Sequence, residues 1–104
     1  MSRPLRISEE VDAEVGEASR WYDAQRPGLG EEFLIAVDKV LELIEANPDA
    51  GSRVPVVSDD DVRRILVRRF PYQVVYILLP DRIQVLAVAH ERRRPGYWVD
   101  RLPR

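Results

Sequence analysis

The side chains best suited to chemistry cluster near the C-terminus, in residues 89–98. Guanidinium groups bind phosphates or carboxylates through paired planar hydrogen bonds, and a histidine can exchange protons near neutral pH. Tyrosine and tryptophan stack on bases or anchor protein interfaces. The segment therefore predicts a site for a nucleic acid or an acidic protein surface, composed of His90, Arg92, Arg93, Arg94, Tyr97 and Trp98.

A second group of arginines flanks a short apolar stretch at residues 65–67. Side chains of a strand alternate between its two faces. Arg64, Leu66 and Arg68 are spaced two residues apart, so on one continuous strand they would project to the same side. We expect them to extend the C-terminal arginines into a single target-binding strip. A competing interpretation treats the arginines as solvated and Trp98 as a packing residue at the edge of the core.

Charge is divided sharply along the chain. Residues 1–61 carry fifteen acidic and six basic side chains, whereas residues 62–104 carry ten arginines and three acids, and the net charge of the whole chain is only −2. The basic half indicates a polyanionic or acidic partner. Alternatively, the two halves neutralise each other within the fold.

Several classes of site are excluded by composition. The chain has no cysteine and one histidine, so we expect no disulfide, no metal site and no cofactor. No glycine-rich phosphate loop or activated serine is recognisable. The absence of cysteine, of a signal-like N-terminus and of a long apolar run favours a reducing compartment, the cytoplasm.

Two helices are expected to precede the basic half. Ser8 with acids after it predicts a helix start, and apolar residues at helical spacing continue to about residue 24. A break at residues 25–30 precedes a second helix over residues 31–46, which ends before Asn47-Pro48. Their short connection predicts a helical hairpin whose apolar faces need a sheet to cover.

Strands dominate the rest of the sequence. Residues 5–7, 65–67, 72–79 and 83–89 have strand-like composition, and Pro80-Asp81 predicts a hairpin between the last two. Residues 49–61 indicate a surface loop, extended at 54–57, and a polar tail is expected after His90. The 104 residues therefore predict one α+β domain spanning 1–104, with a helical hairpin packed on a small antiparallel sheet in the order strand, helix, helix, three strands.

Two C-terminal motifs carry a family resemblance. Residues 68–76 (RRFPYQVVY) and 87–98 (AVAHERRRPGYW) resemble the signature of RelE/ParE toxins of bacterial type II toxin–antitoxin systems, and Trp21-Tyr22 and residues 27–33 are similar to that family's pattern. The resemblance implies the same α+β fold. It also implies a toxin that forms a hetero-oligomer with a cognate antitoxin, which lays an extended or helical segment along a groove and covers the basic surface.

The resemblance leaves the target open. ParE-like members inhibit DNA gyrase without established enzymatic activity, whereas RelE-like members are endoribonucleases that cut messenger RNA on the ribosome, and a third possibility is an inactive or repurposed binding domain. For RNA cleavage the candidate catalytic residues are His90, Arg93 and Tyr97. RelE-like nucleases carry lysines in the active groove, but the single lysine here, Lys39, lies in the second helix. The resemblance therefore favours gyrase.

Overall fold

The structure, a computed structural model, describes residues 3–55 and 61–103. Its main elements in chain order are β1 (Leu5–Ile7), α1 (Glu9–Gln25), α2 (Leu29–Ala46), β2 (Ser52–Arg53), β3 (Val62–Leu66), β4 (Tyr72–Leu78) and β5 (Ile83–His90). Short 3-10 helices lie at Pro48–Ala50 and Val99–Arg101. The α+β class and the predicted order of the helices and longer strands are confirmed. No helix of the described residues is long and apolar enough to span a membrane.

The helical hairpin forms for local reasons that are visible in the sequence. Ser8 caps α1 by accepting a hydrogen bond from the amide of Val11 at 3.3 Å, and acids occupy the first turn. Helix α2 begins at Leu29, two residues earlier than predicted, because Gly28 adopts the left-handed conformation that ends the connection. Asp23 then accepts the Gly30 amide at 2.8 Å, which ties the end of α1 to the start of α2.

The five strands are arranged in the order β1-β5-β4-β3-β2. The β4–β5 hairpin predicted at Pro80-Asp81 forms the centre of the sheet. The sheet is mixed rather than wholly antiparallel as expected, because the edge strand β1 runs parallel to β5. Strands joined by a tight turn must pair antiparallel. Strand β1 is connected to the rest of the sheet through the helical hairpin, and so long a connection permits parallel pairing.

Strand β2 was not predicted. Its two residues, Ser52 and Arg53, pair with Arg64 and Arg63 of β3, inside the stretch expected to be a loop. So short and polar a strand carries no alternating pattern. Residues 56–60, which include half of the predicted extended stretch at 54–57 and part of the predicted loop, lie outside the described residues.

One face of the sheet packs against the two helices. This core is rich in aromatic rings: Phe33 of α2 lies 4.9 Å from Tyr72 and 5.3 Å from both Tyr22 and Phe70, measured between ring centroids. Phe33 and Ile44 are fully buried. The apolar stripes predicted on the helices therefore form the main core with the inner residues of the sheet.

The opposite face of the sheet is covered by residues 91–103, which we call the C-terminal segment. Trp98 and Leu102 pack there against Val75, Ile77 and Leu86. The expected polar tail therefore supplies a second, smaller core. It also explains why β4 and β5 are apolar at nearly every position, since both of their faces are buried.

An irregularity in β5 adjusts this second face. The pairing with β4 shifts between Val75 and Tyr76, so that both Leu86 and Ala87 belong to the second core. Such a bulge leaves a backbone group without its ladder partner. Here the Leu86 carbonyl accepts a hydrogen bond from the Arg101 guanidinium at 3.0 Å.

Candidate functional site

A groove of about 690 Å³ separates β3 from the C-terminal segment. We call it the arginine groove, because its charged lining consists of Arg64, Arg93 and Arg94 against one acid, Glu91, and His90 also lines it. All three arginine side chains are exposed, and His90 is half-buried. Phosphate or carboxylate oxygens entering this groove would meet planar guanidinium donors from two sides.

The elements of the sheet determine where these side chains lie. Arg64 is on β3, and His90 is the last residue of the central strand β5. Directly after β5 the chain turns, with the Arg93 amide donating to the His90 carbonyl at 3.0 Å. Gly96 follows with a φ of 75°, a conformation that a side chain disfavours, and turns the chain towards Tyr97. The groove is thus held at one end of rigid strands.

The structure brings together six of the eight predicted site residues around one groove: Arg64, His90, Arg93, Arg94, Tyr97 and Trp98. Only 3% of Trp98 is exposed, so its contacts are those of a packing residue. Arg92 is exposed and lines none of the described grooves.

Arg68 does not join the strip that its parity with Arg64 predicted. It lines a different groove, of about 530 Å³, between α2 and the end of β3, together with Leu43 and Lys39. Strand β3 ends at Leu66, and Arg69 then adopts a φ of 73°, so the alternation of a strand does not continue to residue 68. The single continuous strip expected from the sequence is therefore not present.

Among the described residues, four other arginines of the basic half are engaged by the protein's own acids. Arg63 lies 2.9 Å from Asp61, Arg69 lies 2.9 Å from Glu32, Arg82 lies 3.2 Å from Asp81, and Arg101 contacts two glutamates of α1. The two halves of the chain therefore do neutralise each other in part.

The arginine groove is left out of this neutralisation. Among residues 3–55 and 61–103, no carboxylate forms an ion pair with Arg64, Arg93 or Arg94. Arg64 has a hydrogen bond of 3.4 Å to the neutral side chain of Gln73, and the Arg93 guanidinium lies 4.0 Å above the ring of Tyr97. With these three arginines against one acid, Glu91, in its lining, the groove presents net positive charge.

His90 is positioned through one ring nitrogen. Its Nδ1 accepts the backbone amide of Arg92 at 3.0 Å, and its ring packs edge-on against Tyr72 at 5.1 Å. Because Nδ1 is an acceptor, Nε2 is the nitrogen that carries the proton in the neutral ring. Nε2 is thus the atom of His90 that could donate to a ligand.

Tyr97 is held differently. Its hydroxyl donates a short hydrogen bond to Oε2 of Glu14 on α1. Burial, followed by this hydrogen bond and the charge of Glu14, raises the pKa of Tyr97 far above its ordinary value of 10.0. The phenol therefore stays protonated and remains committed to Glu14.

Sequence reasoning missed Glu14 and Arg101. Oε1 of Glu14 accepts from the Arg101 guanidinium at 3.0 Å and from the Val88 amide at 3.2 Å. Glu14 is separated from Arg101 by 87 positions, so no local pattern indicates the contact. The one available signal was an acid on the inner side of α1, next to the apolar stripe at Val11 and Val15.

No metal site accompanies these residues. Within the part of the chain that the structure describes, no group of three or more histidine, cysteine or acidic side chains is arranged to hold an ion. The lining of the arginine groove suits anion binding by guanidinium groups, with one imidazole beside them.

Comparison with known proteins bears on the fold and the family. A family model described as "ParE toxin of type II toxin-antitoxin system, parDE" matches residues 5–95. A solved structure described as "Chromosomal ParDE TA system from P. aeruginosa" has a similar fold, with a TM-score of 0.65 and 18% sequence identity over 86% of this chain and 96% of that chain. No curated protein sequence matches. Since the family model covers most of the sequence, the chain belongs to the ParE toxin family of type II toxin–antitoxin systems.

Proposed function

We propose that the protein is a toxin that arrests bacterial growth by inhibiting DNA gyrase, and that a cognate antitoxin neutralises it. The observation that carries the proposal is the arginine groove, whose three guanidinium groups have no ion-pair partner among the described residues. Such a groove suits an acidic protein surface or a DNA backbone, and a gyrase–DNA complex offers both.

The arrangement of Tyr97 favours inhibition by binding over RNA cleavage. Cutting RNA through its 2′-hydroxyl requires one group to remove a proton and another to supply one. Tyr97 donates to Glu14 and has a raised pKa, so it suits neither role at neutral pH. Lys39, the single lysine, lines the other groove, between α2 and β3. His90 is then left without a second proton-transferring group from the predicted set.

The antitoxin is proposed from the family and from charge. The similar solved structure is described as a ParDE toxin–antitoxin system, which supports a hetero-oligomer with an antitoxin here as well. An acidic segment of such a partner would match the arginine groove. Covering that groove would block the surface that we assign to the target.

A direct test adds purified protein to gyrase and relaxed plasmid, and measures supercoiling and the accumulation of gyrase–DNA cleavage complexes. Inhibition of supercoiling or trapped cleavage complexes would support the proposal. Cutting of ribosome-bound messages with gyrase unaffected would overturn it in favour of the endoribonuclease. Absence of both activities, together with normal growth when the chain is induced alone, would indicate a repurposed domain.

Single alanine variants of Arg64, Arg93 and Arg94 locate the binding surface. Each should raise the concentration for half-inhibition about tenfold, because a hydrogen bond to a charged group contributes about 1.5–3 kcal/mol. Arg92→Ala is the matched control, since it removes the same charge from the same turn but outside the groove. Equal losses in Arg92→Ala and Arg93→Ala would contradict the assignment to the groove.

A further inference from the structure

The carboxylate of Glu14 lies where three parts of the molecule meet. It belongs to α1, accepts the amide of Val88 from β5, and accepts the side chains of Tyr97 and Arg101 from the C-terminal segment. One acidic side chain of the N-terminal half thereby joins a helix, the central sheet and the segment that carries the groove arginines.

These contacts are shielded from solvent. The side chains of Glu14 and Arg101 are 16% and 19% exposed, in contrast to the ion pair of Arg26 and Glu32, whose side chains are 58% and 35% exposed. Ion pairs that are partly removed from water are screened less than exposed ones. Arg101 also donates to the Leu86 carbonyl and pairs with Glu10 at 3.3 Å. Besides its apolar contacts with the sheet, the C-terminal segment is thus attached to the rest of the fold by a few charged contacts.

Tyr97 connects this attachment to the arginine groove. Its hydroxyl is held by Glu14, and the Arg93 guanidinium lies 4.0 Å above its ring. A cation over an aromatic ring is attracted to the ring face. Glu14 therefore fixes the position of the Tyr97 ring, and the ring in turn fixes the position of the Arg93 guanidinium.

We infer that Glu14 is a positioning residue: it acts through Tyr97 and Arg101 to hold the C-terminal segment, and with it Arg93, in the geometry that engages the target. This role rests on the proposed function of the arginine groove. Glu14 itself lines a neighbouring depression with Trp21 and does not line the groove. Without its charge, the segment would keep its apolar contacts but lose the orientation of its basic side chains.

The test compares the full-length protein with Glu14→Gln. Glutamine is the same size but uncharged, and its single oxygen cannot replace two carboxylate oxygens that accept three hydrogen bonds. Glu17→Gln is the matched control, because Glu17 is an exposed acid on the same helix, three residues further on. We expect Glu14→Gln to raise the concentration for half-inhibition of gyrase about tenfold, which corresponds to about 1.4 kcal/mol, and Glu17→Gln to leave it unchanged.

Two solution measurements report the positioning independently of activity. Amide hydrogen exchange should show faster exchange at residues 97–102 in Glu14→Gln, with the helices unaffected. Ultraviolet titration of the tyrosines should show the pKa of Tyr97 shifted downwards, since Glu14 is one of the causes that raise it. Unchanged exchange together with an unchanged titration would overturn the inference.

A double-mutant cycle then distinguishes positioning from a general loss of stability. If Glu14 acts through Arg93, the losses from Glu14→Gln and Arg93→Ala will not add, whereas independent effects would add. Additive losses would contradict the inference. Should Glu14→Gln fail to fold, Arg101→Gln provides the same cycle, because Glu14 then keeps its bonds to Val88 and Tyr97.

Failure of the proposed function would be distinguishable. If the parent protein left gyrase unaffected, the proposal for the target would fall, while exchange and tyrosine titration would still decide whether Glu14 holds the segment. If the parent inhibited gyrase and Glu14→Gln were as potent, the function would stand and the positioning role would be overturned.

Discussion

The two faces of the sheet are covered in opposite ways. Against one face lie two helices of 17 and 18 residues, whose buried rings and aliphatic side chains form a large apolar core. Against the other lies the short C-terminal segment, which adds Trp98 and Leu102 and is fastened through Arg101 and Tyr97 to Glu14. The first cover is suited to stabilising the fold, and the second is suited to presenting charge.

This difference has a physical basis. Apolar burial is proportional to area and has no preferred direction, whereas a charged hydrogen bond depends on distance and angle. A short segment buries little area, so its orientation depends on the few directional contacts that it makes. The arginine groove accordingly lies beside the thin cover, where a single carboxylate can control the position of Arg93.

The largest effect is expected in the helix-side core. Phe33→Ala removes a fully buried ring that contacts Tyr22, Phe70 and Tyr72. The free energy of unfolding should fall by about 3–5 kcal/mol, a large part of the total stability of an ordinary domain. Urea denaturation monitored by circular dichroism measures this loss.

Leu66→Ala is the control for that change, because Leu66 is 71% exposed. Its effect on the free energy of unfolding should stay within about 0.5 kcal/mol. A loss of less than about 1 kcal/mol in Phe33→Ala would show that the helix-side core is not the main source of stability.

A smaller effect is expected on the second face. Trp98→Ala should cost about 3 kcal/mol, the low end for loss of a large aromatic side chain, because a short segment can close over the gap. The change should concentrate in faster amide exchange at residues 97–102, with the amides of α2 still protected. Trp21→Ala, at a residue that is 60% exposed, is the matched control. If amide exchange became faster to the same extent in α2 and in the C-terminal segment, the helices and the C-terminal segment would not be energetically distinct.

The smallest effect concerns an exposed ion pair on the helix side. The hydrogen bond from Arg69, aided by Arg26, lowers the pKa of the Glu32 carboxyl below its ordinary value of 4.5. A carboxyl whose pKa is lower in the folded state stabilises that state at every pH above its ordinary pKa. This contribution is lost as the pH falls through the lowered pKa of the folded state. Glu32→Gln should therefore be slightly less stable than the parent at pH 7, and the difference should shrink as the pH falls below 4.5.

Salt provides the check on that prediction. Because the pair is exposed, concentrated sodium chloride at pH 7 should also reduce the difference between Glu32→Gln and the parent. A difference that stayed unchanged both as the pH falls and at high salt would indicate packing by Glu32 instead of charge. The shielded contacts of Glu14 should resist the same salt concentration.

The sequence predicted the elements best where a periodic pattern is long. The apolar stripes of α1 and α2, the cap at Ser8 and the turn at Pro80-Asp81 are local features, and each has its counterpart in the structure. The sequence did not predict β2, which has two polar residues. It also did not predict that residues 98 and 102 of the C-terminal tail cover a face of the sheet.

For the candidate site, residue types were predictable and their grouping was not. The abundance of arginine after residue 61 and the motif around His90 indicated an anion-binding site, and Arg64, Arg93 and Arg94 do meet in one groove. Arg68 was misplaced, because parity is informative only while a strand continues, and β3 ends at Leu66.

The sequence alone determined the helical hairpin, the central strands and the sign of the charge in the C-terminal half, since each depends on composition or on spacing along a short stretch. Its two C-terminal motifs indicated the family by resemblance. The tertiary structure alone decided which arginines are neutralised and which face outwards. Contacts such as Glu14 with Arg101 join positions 87 residues apart, and their formation depends on where the whole chain places α1 relative to the C-terminal segment. Electrostatic interactions act through space, so their outcome is decided only after folding has set those distances.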